Sequence, residues 1–162
     1  MLINLIGNGI IFQENKWRAK MNSTFSECSR CHTLNKLNAE KSLQKTPICG
    51  HCGEEIKLKG LVSEVSSKNF SKIISKAEGY VVVDFWASWC GPCRSYAPEY
   101  EKASLQNKHA VFLKINTELE QELSIQLGIR GIPCTILFKN GKELRRQSGA
   151  MSADQVKIFI GA

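Results

Sequence analysis

The stretch Val81-Val82-Val83-Asp84-Phe85-Trp86-Ala87-Ser88-Trp89-Cys90-Gly91-Pro92-Cys93-Arg94 decides the fold. Its first half, rich in valine and aromatics, has the character of a buried strand. A short turn follows, and a helical pattern opens at the first cysteine. A thiol at a helix N-terminus faces unpaired backbone N–H groups and the positive end of the macrodipole, and both favour the thiolate. The second thiol lies one helical turn on, within reach of a disulfide. A Cys-x-x-Cys after a strand and opening a helix is the expected form of a dithiol redox site. The competing reading, half of a metal site, fits Pro92 and the strand–turn–helix setting less well.

The chain has seven cysteines in 162 residues. Six form C-x-x-C pairs, Cys28/Cys31, Cys49/Cys52 and Cys90/Cys93, and Cys134 is left over. Metal knuckles and catalytic dithiols use such tight pairs, whereas an extracellular disulfide framework rarely needs three, so a reducing, cytoplasmic setting is expected. Apolar residues make up 43% of the chain, enough for a real core. The net charge of +7 is interspersed with Glu rather than clustered. It describes a solvated surface, and a nucleic-acid partner is not expected from it.

Leu2 to Phe12 is apolar but broken by Asn4, Gly7, Asn8 and Gly9, far short of the ~20 residues a spanning helix needs. No basic segment precedes it and no small-residue cleavage site follows, so neither a membrane span nor a signal peptide is expected. Residues 1–21 read as an extension, either disordered or an artefact of an upstream translation start, with Met21 as a more ordinary beginning.

Residues 22–59 form a polar segment with Phe25 as its one aromatic, too little apolar surface to offset chain entropy alone. From residue 60 the pattern alternates. Strands are expected at Leu61–Val65, Tyr80–Phe85, Val111–Ile115, Thr135–Lys139 and Glu143–Gln147. Helices are expected at Ser66–Ala77, Cys90–Gln106 (kinked at Pro98), Glu118–Leu127 and Ser152–Ile160. Asn140-Gly141 is a strong hairpin signal. Strands joined first through helices and then by a hairpin imply an α/β fold with a mixed, partly parallel sheet flanked by helices.

Cys28-x2-Cys31, seventeen residues, then Cys49-x2-Cys52 falls within four-thiolate zinc spacing. One structural zinc ion would supply the stabilisation that a polar segment of this length lacks. Two disulfides are the alternative, disfavoured in a reducing compartment. His32 and His51 adjoin ligands but are read as bystanders.

Residues from about Leu61 onward resemble the thioredoxin family. The landmarks are Asp84-Phe85-Trp86-Ala87, Trp89-Cys90-Gly91-Pro92-Cys93, Pro98, Lys114, Arg130-Gly131-Ile132-Pro133, Phe138-Lys139-Asn140-Gly141 and Gly149, in order and at fitting separations. With the four-cysteine segment in front, a zinc-ribbon-like module, the chain resembles the thioredoxin 2 type.

The resemblance implies a thioredoxin fold over 60–162 and roles for its matching residues. Cys90 would be the nucleophile and Cys93 the resolving thiol. Asp84 would be the buried proton acceptor, with Lys114 tuning it; read alone, Asp84 could instead cap the following turn at an edge. Pro133 would follow a cis peptide beside the dithiol. Trp89, Gly91, Pro92, Ile132, Pro133, Gly149 and Ala150 would form an apolar docking patch, while Trp86 reads as plain core. Cys134 stands where the family usually has Thr. It is read either as a small buried replacement or as a third thiol near the dithiol.

The implied activity is protein-disulfide reduction, recycled by thioredoxin reductase, in a monomer acting on disulfide-bearing proteins. No glycine-rich dinucleotide site is present, so no bound nucleotide or flavin is expected. The alternative is a zinc-dependent, redox-sensitive binding or chaperone module that uses the thioredoxin domain for docking.

Overall fold

The computed structural model describes residues 22–77, 79–107 and 109–161, so the extension over 1–21 lies outside the described residues. Strands β1 (Ser23–Glu27) and β2 (Leu34–Asn38) pair antiparallel, and helix α1 (Ala39–Gln44) follows. The Asn38 side chain caps α1 by accepting the Lys41 N–H at 2.9 Å.

The larger part runs β3 (Val62–Glu64), α2 (Ser67–Lys76), β4 (Tyr80–Trp86), α3 (Gly91–Gln106), β5 (Ala110–Asn116), α4 (Gln121–Gln126), β6 (Cys134–Lys139), β7 (Lys142–Ser148) and α5 (Ala153–Ile160). The strand order is β3-β5-β4-β6-β7. The first three strands are parallel, and β6 and β7 are antiparallel. This is the thioredoxin fold, a mixed sheet flanked by helices. Asn140 and Gly141 both take positive φ, 51° and 77°, as a two-residue hairpin turn requires.

Alternation along β4 sorts the core into two layers. Val81, Val83 and Phe85 face Phe70 and Ile73 of α2 together with Val111, Leu113 and Ile115 of β5. Val82 faces the other way, toward Tyr96 and Tyr100 of α3 and Val156 and Ile160 of α5. β4 is thus covered on both faces, which explains its uninterrupted apolar run. Pro98 lies inside α3, which nonetheless continues as one helix to Gln106.

The polar N-terminal segment departs from expectation. Its Phe25 is buried in the layer of Val83, Phe85 and Leu113, with Leu34 packed against the same layer. β1 lies against β3 and β5, and Thr24 Oγ1 donates to the Leu61 carbonyl at 3.4 Å. The segment therefore borrows the sheet's core, a contact no local pattern announces. Smaller differences concern ends: β3 is shorter than Leu61–Val65, and α4 starts at Gln121 because residues 117–119 form a turn.

Candidate redox site and metal centre

β4 delivers the chain to the turn Ala87–Trp89, and Cys90 is the N-cap of α3, with φ −77° and ψ 108°. Its Sγ accepts the Cys93 N–H at 3.1 Å, so the sulfur takes the place of the usual capping oxygen. Cys90 and Cys93 form a disulfide with Cα atoms 5.2 Å apart. In this oxidised form both are buried, at 3% and 1% exposure, packed with Ala87, Trp86 and Ile132. The two cysteines therefore differ little in exposure while the bond is closed.

The approach to Cys90 is fixed by a residue the sequence reading passed over. Glu118 Oε2 accepts the Ser88 N–H at 2.9 Å and the Ser88 hydroxyl at 2.8 Å, and Arg94 donates to the Ser88 carbonyl at 3.1 Å. These hydrogen bonds from the Ser88 backbone and side chain hold the Glu118 carboxyl below its ordinary range.

The Ile132–Pro133 peptide is cis. It brings the Ile132 carbonyl to 3.7 Å from Cys90 Sγ, while the buried Pro133 carbonyl accepts the Gly149 N–H at 2.8 Å. Trp89, Pro92, Gly149 and Ala150 are exposed, and Gly91 and Ile132 are half-buried. Trp89, at 68% exposure, is the large apolar group beside the disulfide that solvent reaches most freely.

Asp84 lies wholly within the sheet, not at an edge, and neither carboxyl oxygen has a hydrogen-bond partner. Burial pushes its pKa up to about 7, against the opposing pull of the Lys114 charge. Lys114 Nζ stands 3.9 Å from Asp84 Oδ2 and 4.4 Å from the centre of the Trp86 ring. Trp86 is only partly buried, with Nε1 unpartnered. It lines a cavity of about 300 Å³ with Cys93, Lys114 and Glu64 rather than serving as plain core.

Cys134 is buried in the layer of Phe85 and Ile136, a different core cluster from that of Ala87, Cys90 and Cys93, with Ile132 packed against both. Strand alternation puts it on the opposite sheet face from Thr135, whose hydroxyl meets Tyr96 Oη at 3.0 Å on the α3 side. Burial raises its pKa.

In the N-terminal module the sulfurs of Cys28, Cys31, Cys49 and Cys52 lie within 4.8 Å of one another. The Cys28–Cys52 and Cys31–Cys49 sulfurs are each 3.6 Å apart. A tetrahedron with metal–sulfur bonds of about 2.3 Å has edges of about 3.8 Å, so the cluster can hold one metal ion. Its two knuckles share a form. The residue after each second cysteine, His32 and Gly53, takes positive φ, and its N–H donates to the carbonyl of the first cysteine.

The donor set also favours a cation. The Cys52 and His51 N–H groups hold the Cys49 thiol down to about 6. Cys52 accepts the Glu54 N–H, which lowers its pKa, yet burial and the three neighbouring sulfurs outweigh this and push it to about 12. Four such thiols cannot ionise together without a positive ion between them. Asn35 braces the second knuckle: Nδ2 donates to Cys49 Sγ at 3.6 Å and Oδ1 accepts the Gly50 N–H at 3.0 Å. Neither imidazole joins the cluster. His32 Nδ1 lies 2.9 Å from Glu27 Oε1, and the His32 carbonyl accepts from Asn69 at 3.0 Å, joining the module to α2.

Comparison with known proteins agrees with this geometry. Residues 61–162 match the Thioredoxin family model. Thioredoxin C-3 of Corynebacterium nephridii is 38% identical over 133 residues, covering 82% of this chain and 90% of that protein. The thioredoxin of Pseudomonas aeruginosa is 37% identical over 103 residues, covering 62% of this chain and 94% of its own length. Among solved structures, the short form of thioredoxin f from spinach chloroplast superposes with a TM-score of 0.59 at 31% identity, covering 65% of this chain and 96% of that one. With a dithiol at the head of α3 and a family match over the whole sheet, the chain belongs to the thioredoxin family and is a thioredoxin-type disulfide oxidoreductase.

Proposed function

We propose that this oxidoreductase works as a cytoplasmic protein-disulfide reductase through Cys90 and Cys93, recycled by thioredoxin reductase. The observation that carries the reading is the position of Cys90 Sγ, which accepts the Cys93 N–H at the N-cap of α3. When the pair is reduced, that N–H and the helix terminus stabilise a thiolate. The thiolate attacks one sulfur of a substrate disulfide, forming a mixed disulfide and releasing the other substrate sulfur as a thiolate. Cys93 then gives its proton to Asp84 and attacks Cys90 Sγ. The Cys90–substrate bond breaks, the second substrate thiolate leaves, and the Cys90–Cys93 disulfide closes. Two electrons pass to the substrate.

Lys114 moderates the proton affinity of Asp84. The exposed Trp89, Pro92, Gly149 and Ala150, with Gly91, Ile132 and Pro133, receive an extended substrate segment, which the Ile132 backbone pairs as a short strand. In this reading the nicotinamide and flavin belong to the partner reductase, which passes the electrons to the Cys90–Cys93 disulfide. The enzyme acts as a monomer on disulfide-bearing proteins, without nucleic acid. Among the described residues no helix is long and apolar enough to cross a membrane.

Cys28, Cys31, Cys49 and Cys52 would hold one zinc ion. When bound, zinc neutralises the clustered thiolates and ties the two knuckles together. The alignment with Thioredoxin C-3 is longer than the stretch matched by the family model, so that relative shares part of the module. Insulin reduction driven by NADPH and thioredoxin reductase tests the enzymatic reading. Turnover lost in Cys90→Ser supports it. Turnover retained there favours the alternative, a zinc-dependent binding module.

A further inference from the structure

One row of polar side chains crosses the sheet on its α3 side. Glu64 on β3 is the register partner of Lys114 on β5, Lys114 is the partner of Asp84 on β4, and Asp84 is the partner of Thr135 on β6. Successive partners in parallel strands are about 4.8 Å apart, and their side chains share a face. Lys114 therefore stands in register between two acidic residues, Glu64 exposed on the edge strand and Asp84 wholly buried. Glu64, Lys114, Trp86 and Cys93 also line one cavity of about 300 Å³.

We propose that Glu64 is a positioning residue for the buried acid. It shares the field of the Lys114 ammonium and draws that charge toward the edge strand, so that the Asp84 carboxylate takes up a proton more readily when Cys93 releases one. This rests on the reading of Asp84 as the proton acceptor for Cys93. The geometry supports the sharing. Lys114 Nζ is 3.9 Å from Asp84 Oδ2, beyond hydrogen-bonding distance, and both Asp84 oxygens remain unpartnered. The ammonium is thus not fully committed to Asp84, and it also lies 4.4 Å from the centre of the Trp86 ring. Partial desolvation in the cavity mouth raises the Glu64 pKa, against the opposing Lys114 and Lys59 charges.

The other groups around the row do not replace Glu64. From α3, Asp84 is faced by Tyr96 and Tyr100, both neutral at pH 7, with Cys93 in the cavity wall. From β6 it meets Thr135, which is uncharged, while Cys134 acts on it from the opposite face as a neutral thiol. Lys57, Lys59, Arg94 and Glu101 complete the cavity lining. Among them, Glu64 is the carboxylate in register with Lys114.

Carboxyl carbon NMR of Asp84 in the disulfide form, titrated from pH 4 to 10, tests the proposal. Removing the Glu64 charge leaves Lys114 to Asp84 alone and removes a like charge about 10 Å away. Glu64→Gln should therefore lower the Asp84 midpoint by about half a pH unit. Glu64→Asp should keep the wild-type midpoint. In a Lys114→Met background the shift caused by Glu64→Gln should be smaller, since the shared cation is gone. An unmoved midpoint in Glu64→Gln, or an equal shift in the Lys114→Met background, overturns the proposal. A midpoint that moves while the pH profile of the Cys93 step does not follow supports the Glu64 assignment and defeats the acceptor role of Asp84 instead.

Discussion

Glu27, one residue before the first cysteine of the metal cluster, accepts both the Ser66 N–H and the Ser66 hydroxyl at 2.8 Å. Ser66 is the N-cap position of α2, and its own side chain makes no capping bond within that helix. The N-terminal module therefore caps a helix of the sheet domain with a carboxylate, which also suits the dipole. Burial raises the Glu27 pKa, but hydrogen bonds from Ser66, Asn69 and His32 overcome this and hold it below the ordinary range.

Replacing Glu27 should consequently loosen α2 and the module together. Glu27→Ala leaves the Ser66 donors without this acceptor and is expected to cost about 1–2 kcal/mol. Thermal unfolding checks the stability. Faster amide exchange at the start of α2 would show where the loss falls, and unchanged exchange there would count against the cap.

Metal removal should reach the same contact from the other side. The turn Cys28–His32 joins β1 to β2, so losing the ion frees both Glu27 and the His32 carbonyl bonded to Asn69. We expect one zinc per purified chain. Strong chelation should lower the melting temperature and make residues 22–59 sensitive to protease while residues 60–162 resist. Cys49→Ser should reproduce this without chelator.

The buried acid predicts a pH dependence of stability with a definite sign. The Asp84 pKa is about 7 in the folded chain, against 3.8 for an ordinary aspartate. Between those values the folded state holds a proton that the unfolded state has released, so stability falls as pH rises from 4 to 7. The contribution lost is on the order of 4 kcal/mol. Glu27 and Glu118, held low, act in the opposite sense near pH 4, so the difference between wild type and Asp84→Asn isolates this term. Denaturant unfolding of the oxidised protein at pH 5 and 8 should show a smaller fall in the variant. Asp84→Asn should also slow the Cys93 step by about 10²-fold at pH 7.

Cys134 should be silent in catalysis. It packs beside Phe85 and Ile136 with its thiol pKa raised by burial, and it belongs to the core layer rather than the dithiol cluster. Cys134→Thr is expected to leave insulin reduction and its sensitivity to peroxide unchanged. A marked gain in oxidation resistance would instead make Cys134 an oxidisable third thiol.

Much of the fold was legible because it is written in local patterns. The run Val81–Phe85 marks a strand covered on both faces, Asn140-Gly141 marks the hairpin, and the C-x-x-C spacings mark the sites. Asp84 stood out as an acid within an apolar strand. The contacts that remained invisible join positions far apart in the chain. Glu27 meets Ser66 across 39 residues and Glu118 meets Ser88 across 30, and neither partner is unusual where it stands. The β1–β2 hairpin was missed for a related reason. Its strands are short and mostly polar, and Phe25 is buried by another part of the chain. Glu64 becomes noticeable only when β3 is laid beside β5.

The central claim is that Cys90 alone attacks the substrate and Cys93 resolves the product, and trapping tests it most directly. A Cys93→Ser variant, reduced and mixed with a disulfide-bearing protein, should accumulate a mixed disulfide that peptide mass mapping places on Cys90. Cys90→Ser should accumulate none. A mixed disulfide mapped to Cys134 or to a cysteine of the metal cluster, or formed equally well by Cys90→Ser, would contradict the account.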